Sequence, residues 1–183
     1  MRELKREKDM RVLRTRKLLH DAFKEMLCEM DYEKITIQEL TERAMINRKT
    51  FYLHYLTLDS LLREVQSEMA MNFIKRTEGM KRPQDMDKVT REFFLYSEEL
   101  GKFGERLNCC GNYVSQQITD EIMKQTWETS QETPYLQNII MAFVSQATLT
   151  IYRQWIADGK RIPLKEIIKI ATDLICHGIN GLA

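Results

Sequence analysis

Apolar residues recur along the chain at intervals of three and four and nowhere alternate with polar ones over the length of a strand, so the pattern predicts helices throughout. Val12, Leu18, Leu19, Ala22, Phe23, Met26, Leu27 and Met30 form one stripe, with charges opposite, and predict an amphipathic helix over 8–30. Thr36-Ile37-Gln38-Glu39 is a capping box: the Thr36 hydroxyl can accept from the Glu39 backbone N–H while the glutamate reaches back. It predicts a short helix over 37–44. Asn47 caps a second short helix over 48–54, and Thr57 caps a long one reaching about 77. Beyond the break at Lys81-Arg82-Pro83-Gln84 the pattern predicts helices over 84–99, 103–109, 112–129, 135–157 and 164–180. Their separators are Gly101 and Gly104, Gly111, Thr133-Pro134, and Asp158-Gly159 through Pro163. The expected class is all-α, with about nine helices.

Composition narrows the function classes. The 183 residues suit one hydrophobic core of ordinary size and leave no room for a second catalytic domain. With 43% apolar and 30% charged residues, seven Gly and three Pro, neither disorder nor a turn-dense β fold fits. No stretch approaches the roughly 18 apolar residues of a membrane span, and MRELKREKDMRVLRTRK lacks an apolar signal core, so a cytoplasmic protein with no membrane partner is expected. The formal net charge of +1 hides a segregation. Arg2, Lys5, Arg6, Lys8, Arg11, Arg14, Arg16 and Lys17 oppose only Glu3, Glu7 and Asp9, a net +5 that leaves −4 for the remainder. A basic segment of this kind suits a phosphate backbone.

Residues 37–54 have the layout of a helix-turn-helix: two short helices joined by Met45-Ile46-Asn47. In the second helix Phe51 and Tyr55 share one stripe and are assigned to the core, while Lys49, Tyr52 and Leu53 project the other way. Arg48 and Lys49 occupy its first turn, where a helix entering the major groove brings side chains nearest to bases and phosphates. From spacing and caps alone, a helical corner with solvated charges is an equal alternative.

Residues 35–62, ITIQELTERAMINRKTFYLHYLTLDSLL, with the preceding RVLRTRKLLHDAF, resemble the N-terminal DNA-binding domain of TetR-family transcriptional regulators over residues 11–62. TFYLHY, residues 50–55, is similar to the Thr-x-Tyr-x-His-aromatic recognition helix of that family, and ELTERA, residues 39–44, precedes it as expected. The resemblance implies that Arg14 and Thr36 touch phosphates, that Asn47, Arg48, Lys49, Thr50 and Tyr52 lie at bases or adjacent phosphates, and that His54 meets the DNA backbone. Packing against neighbouring apolar groups is the other reading of His54. Three positions depart from the family pattern: Met45 stands at a turn position often occupied by Gly, Lys49 where a small residue is usual, and Leu58 where Lys is common. The resemblance further implies a DNA-binding domain over 1–56 and a helical effector-binding and dimerisation domain over 57–183.

On that reading the protein is a homodimeric repressor of a palindromic double-stranded DNA operator, released by an unknown small-molecule effector. The helix over 135–157 is apolar on more than one face and predicts a partner helix from a second copy; Ile140, Phe143, Ala147, Ile151, Ile168, Ala171 and Ile175 are the candidate dimer residues. Burial within one chain is the alternative. Phe93, Tyr96, Phe103, Tyr113 and Trp127, with a methionine content of 11, are candidates to line an effector pocket, each more often plain core. No nucleophile triad, P-loop or GxGxxG appears, and His20, His54 and His177 lack metal-ligand spacing, so neither catalysis nor a metal or other cofactor is expected. Two competing classes remain open: a helix-turn-helix-derived activator or adaptor, favoured by Leu58, and a small thiol-based redox protein using Cys109 and Cys110.

Overall fold

The structure is a computed structural model and describes residues 2–81, 84–109 and 134–178, with side chains from Met10 onward, Pro134 excepted. The described residues are helical with no strand. They form α1 (Arg2–Glu29), α2 (Ile37–Arg43), α3 (Arg48–Tyr52), α4 (Leu58–Arg76), α5 (Met86–Glu99), α6 (Gly101–Cys109), α7 (Pro134–Ala157) and α8 (Leu164–His177). A 3-10 turn at Tyr32–Lys34, which hydrophobic spacing does not signal, fills the joint between α1 and α2. The first helix starts earlier than the predicted 8, at Arg2, so the whole basic segment from Arg2 to Lys17 is helical. The helix predicted over 112–129 lies outside the described residues.

One separator is corrected. Gly101 does break the chain, taking φ 57° between α5 and α6, but Gly104 lies inside α6. A Cβ at 104 would stand 2.7 Å from the Ser97 carbonyl oxygen and 2.8 Å from Leu100 Cβ, so the residue is there for close approach rather than for a turn.

The chain divides into two compact units, residues 1–65 and 66–183, with the boundary inside α4. In the first unit, α2 packs on α1 and α3 packs on α2. Its buried apolar side chains include Leu19, Phe23, Met26 and Leu27 of α1, Leu40 and Ala44 at α2, and Phe51 and Tyr55 at α3. Phe23 meets Tyr32 edge-on at 6.2 Å, seating the 3-10 turn on α1. Arg43 clamps the end of α2 to the end of α1 with two 2.7 Å hydrogen bonds to Glu29.

In the second unit α5 packs on α6 and α8, and α7 on α6 and α8. Two apolar clusters fill it. One gathers Phe73, Met86, Val89, Tyr96 and Val144; the other gathers Phe94, Tyr152, Trp155, Ile167 and Ala171, and Phe93 packs against both. The turn from α7 to α8 is closed by Trp155 Nε1–H donating to the Ile162 carbonyl at 2.7 Å. Lys160 reaches Glu98 of α5 at 2.6 Å and Glu105 of α6 at 2.5 Å. Partial burial opposes its charge, but the bonds to Glu105 and Glu98 outweigh that and raise its pKa.

Candidate nucleic-acid interface

Local chemistry fixes the short helices of the first unit. Thr36 Oγ1 accepts from Glu39 N–H at 3.2 Å while the Glu39 carboxylate accepts from Thr36 N–H at 3.2 Å, the reciprocal capping box. Asn47 Oδ1 accepts from Lys49 N–H at 2.8 Å and starts α3. Thr57 and Ser60 exchange backbone-to-hydroxyl bonds of 3.2 Å at the start of α4. The turn between α2 and α3 contains Met45 at φ 53°, a left-handed conformation that glycine adopts freely and a side chain adopts at a cost of about 1–2 kcal/mol. That geometry explains why glycine suits this position, and an 88% exposed side chain lets methionine stand there without collision.

The buried side of α3 is Phe51, fully inaccessible, with Tyr55 beyond it; their rings are 5.7 Å apart. Tyr55 belongs to a polar knot. Glu64 of α4 receives Arg16 at 2.5 Å, His20 at 2.9 Å and the Tyr55 hydroxyl at 3.2 Å, and His20 Nε2 also lies 3.1 Å from that hydroxyl. Burial tends to raise the Glu64 carboxyl, but the Arg16 bond and charge, then His20, hold it below its ordinary value. Burial pushes the Tyr55 phenol up to about 12. Tyr32 donates its hydroxyl to Asp59, a further tie to α4. The knot holds α1, the end of α3 and the start of α4 in fixed register, so Arg16 and Tyr55 position the interface rather than form it.

On the outward side Arg14, Thr36, Asn47, Arg48, Lys49 and Tyr52 are exposed, whereas Thr50 and His54 are half-buried. Two of these are brought together: Arg48 Nη2 donates to the Tyr52 hydroxyl at 3.2 Å, with its guanidinium carbon 5.7 Å from the ring centre. His54 stands beside Tyr55, with ring centres 6.4 Å apart. Sequence spacing did not identify the knot of Arg16, His20, Tyr55 and Glu64, because its members are distant along the chain.

In the second unit Phe93 and Tyr96 are packed into the aromatic core. Tyr96 stacks on Phe73 at 6.3 Å under the Arg76 guanidinium, and Phe93 meets Phe73, Phe94 and Tyr152 edge-on. Phe103 is half-buried, and Tyr113 and Trp127 lie outside the described residues. Among the described residues of this unit, the buried hydroxyls of Thr90, Thr148 and Tyr152 have no hydrogen-bond partner. Thr148 and Tyr152 are four apart on α7, polar points in an otherwise apolar stripe, a signal the sequence offered and aromatic content obscured. An open groove of about 1000 Å³ runs along α5 and α8, lined by apolar residues such as Leu95 and Ile168 and by charges of both signs, among them Arg91, Lys169, Asp87 and Asp173.

Of the candidate dimer residues, Phe143 is 58% exposed, and Ile140, Ala147, Ile151, Ile168 and Ile175 are half-buried. Ala171 is corrected: it is fully buried within its own chain, on the face of α8 that joins Ile167 in the core, and offers no surface to a second copy. Tyr135, Leu136 and Ile139 of α7 remain exposed beside Phe143. The Cys109 thiol is pushed above its ordinary value by partial desolvation, the opposite of an activated thiolate, and Cys110 lies outside the described residues. Among the described residues no cluster of His, Cys, Asp and Glu is placed to hold a metal ion, and no helix is long and apolar enough to cross a membrane.

Comparison with known proteins adds the decisive observation. No family model matches the chain. Solved structures do: it superposes on a TetR transcriptional regulator from Streptococcus agalactiae 2603V with a TM-score of 0.68 at 19% identity, covering 92% of this chain and 97% of that one. The chain has the TetR-type fold. FadR of Bacillus subtilis, solved in complex with stearoyl-CoA, matches at a TM-score of 0.60 and 15% identity over 88% of this chain and 98% of its own. A TetR regulator from Rhodococcus sp. RHA1 matches at 0.59 and 13% identity, over 92% and 97% of the two chains. In sequence, a stretch of 62 residues is 45% identical to YxbF, an uncharacterized HTH-type transcriptional regulator of Bacillus subtilis strain 168. That match spans 33% of this chain and 16% of YxbF, so the chain covers about a sixth of its curated relative.

Proposed function

We propose that the protein is a TetR-family, sequence-specific DNA-binding transcriptional regulator, acting as a homodimer in the cytoplasm and releasing a palindromic operator when a small molecule binds. One observation carries the reading. The exposed part of α3 presents Arg48, Lys49 and Tyr52, while Phe51 is fully buried, on a helix fixed by the Asn47 cap. Arg48 supplies a fork matched to guanine O6 and N7, and the Tyr52 phenol suits a phosphate oxygen. DNA binding is assigned to the N-terminal helices, residues 1–56, and effector binding and dimerisation to residues 57–183.

The exposed apolar run Tyr135, Leu136, Ile139 and Phe143 on α7 supports pairing with a second copy. A dimer places two recognition helices about 34 Å apart, one turn of duplex, on a palindrome. Buried hydroxyls at Thr90, Thr148 and Tyr152 among aromatic rings suit an effector that is largely apolar with a few polar groups, and FadR, solved with stearoyl-CoA, shares the fold. Release then requires that effector and DNA prefer different conformations of the dimer.

Selection of duplexes from a random pool, followed by a salt titration, tests the reading. The expected result is a palindromic motif bound with steep salt dependence, and Arg48→Ala and Tyr52→Phe each weaken binding to it by about 1–3 kcal/mol. A folded dimer that enriches no duplex overturns it.

A further inference from the structure

The recognition segment, TFYLHY over 50–55, contains a leucine that the folded chain leaves in water. Leu53 is 82% exposed, two residues from Phe51, which is fully buried. It sits at the C-cap of α3 with φ −73° and ψ −19°, so the helical turn continues through it. At about 100° per residue, Lys49 and Leu53 each fall within about 20° of the line pointing directly away from Phe51, while Arg48 and Tyr52 lie to one side. The most outward line of α3 therefore carries one cation and one branched aliphatic side chain, both exposed. From Arg43 to Leu58 the chain contains no Asp or Glu.

An aliphatic group presented among cations to the major groove meets only one apolar feature on the base edges, the 5-methyl group of thymine. We propose that Leu53 is a specificity-determining residue that reads a thymine methyl in each half-site, beside the base contacted by Lys49. This rests on the DNA-binding reading above and adds a contact that neither arginine forks nor phosphate anchors supply. Removing one methyl from contact weakens binding about four-fold, by the burial value of a single carbon group, and about fifteen-fold when both half-sites lose it.

The test uses the full chain and a duplex recovered by selection, with each thymine replaced in turn by deoxyuridine, which lacks only the methyl. Expected is one symmetric thymine pair whose replacement weakens binding by about fifteen-fold, with the other replacements near neutral. Leu53→Ala, checked for an unchanged melting temperature, is expected to bind the thymine and deoxyuridine duplexes alike, at the weakened level. Indifference of the unaltered chain to deoxyuridine at every position overturns the proposal while leaving sequence-specific binding intact. So does a Leu53→Ala chain that keeps full affinity and full thymine dependence, which places the leucine against a protein surface instead. Failure of the selection itself is read one step earlier and overturns the regulator reading, so the two failures are distinct.

Discussion

In residues 1–65 the polar side chains at the helix joints are matched to partners, whereas among the described residues of 66–183 the hydroxyls of Thr90, Thr148 and Tyr152 are buried without any. Glu64 gathers Arg16, His20 and Tyr55, and Thr36, Asn47 and Thr57 each cap a helix. The second unit has directional bonds too, at Trp155 and Lys160, but its centre is a network of rings: Phe93, Phe94, Tyr152 and Trp155 meet with centres 5.5–6.1 Å apart. On the proposed function, the difference suits what each unit would do. A surface that reads DNA must hold side chains in fixed positions, and directional bonds do that. A body that admits varied small molecules gains from apolar contacts, which have weak directionality, and from polar atoms held in reserve.

The sharpest way to break the comparison is at Phe51. Phe51→Ala removes the ring that seats α3 and is expected to cost about 3–5 kcal/mol, read as a lower denaturant midpoint, with loss of DNA binding. An unchanged midpoint would show that α3 is held by its caps alone. Next come two tyrosines that differ in their partners. Tyr55→Phe strips a donor from Glu64 and is expected to destabilise by about 1 kcal/mol, while Tyr152→Phe removes an orphan hydroxyl and is expected to be neutral or stabilising by about 1 kcal/mol. If thermal melting moves both in the same direction, the contrast between the units fails.

Thr36→Ala opens the capping box of α2 at a cost of about 1 kcal/mol. Circular dichroism in urea should show that loss, and Thr36→Ser should restore most of it. The smallest effect is a pH dependence. A carboxyl held below its ordinary 4.5 in the folded state contributes stability above that value and loses it as pH falls through the folded pKa, so Glu64→Gln is expected to flatten the acid limb of stability against pH. Tyr55 acts at the other end: a phenol raised to about 12 contributes below the ordinary 10 and is lost as pH rises from 10 through 12, so Tyr55→Phe flattens the alkaline limb. Solution stability scans of the two variants separate these limbs.

The same contrast decided what could be read without coordinates. The capping box at Thr36, the cap at Asn47 and the inward stripe of Phe51 and Tyr55 are signals three or four residues long, and local periodicity carries them directly. The Glu64 knot joins residues up to 48 apart along the chain, Arg16 to Glu64, and no spacing rule marks such a meeting. In the body, periodicity found α5, α6, α7 and α8, while aromatic content left Phe93 and Tyr96 open between pocket lining and plain core, and both pack with the core clusters. Aromatic content does not distinguish lining from filling. Ala171 was misplaced for a related reason, since a small apolar residue on an amphipathic stripe serves an intrachain and an interchain contact equally well, and only burial separates them.

The left-handed turn at Met45 has one more consequence. By leaving a thioether 88% exposed while Met26 of the same unit is 1% exposed, it supplies two oxidation clocks in one small domain. Peroxide converts Met45 to the sulfoxide in the intact unit, but reaches Met26 only when the helices part. The ratio of the two products, read by mass spectrometry of peptides, therefore reports how often the unit opens, with no label added to the chain.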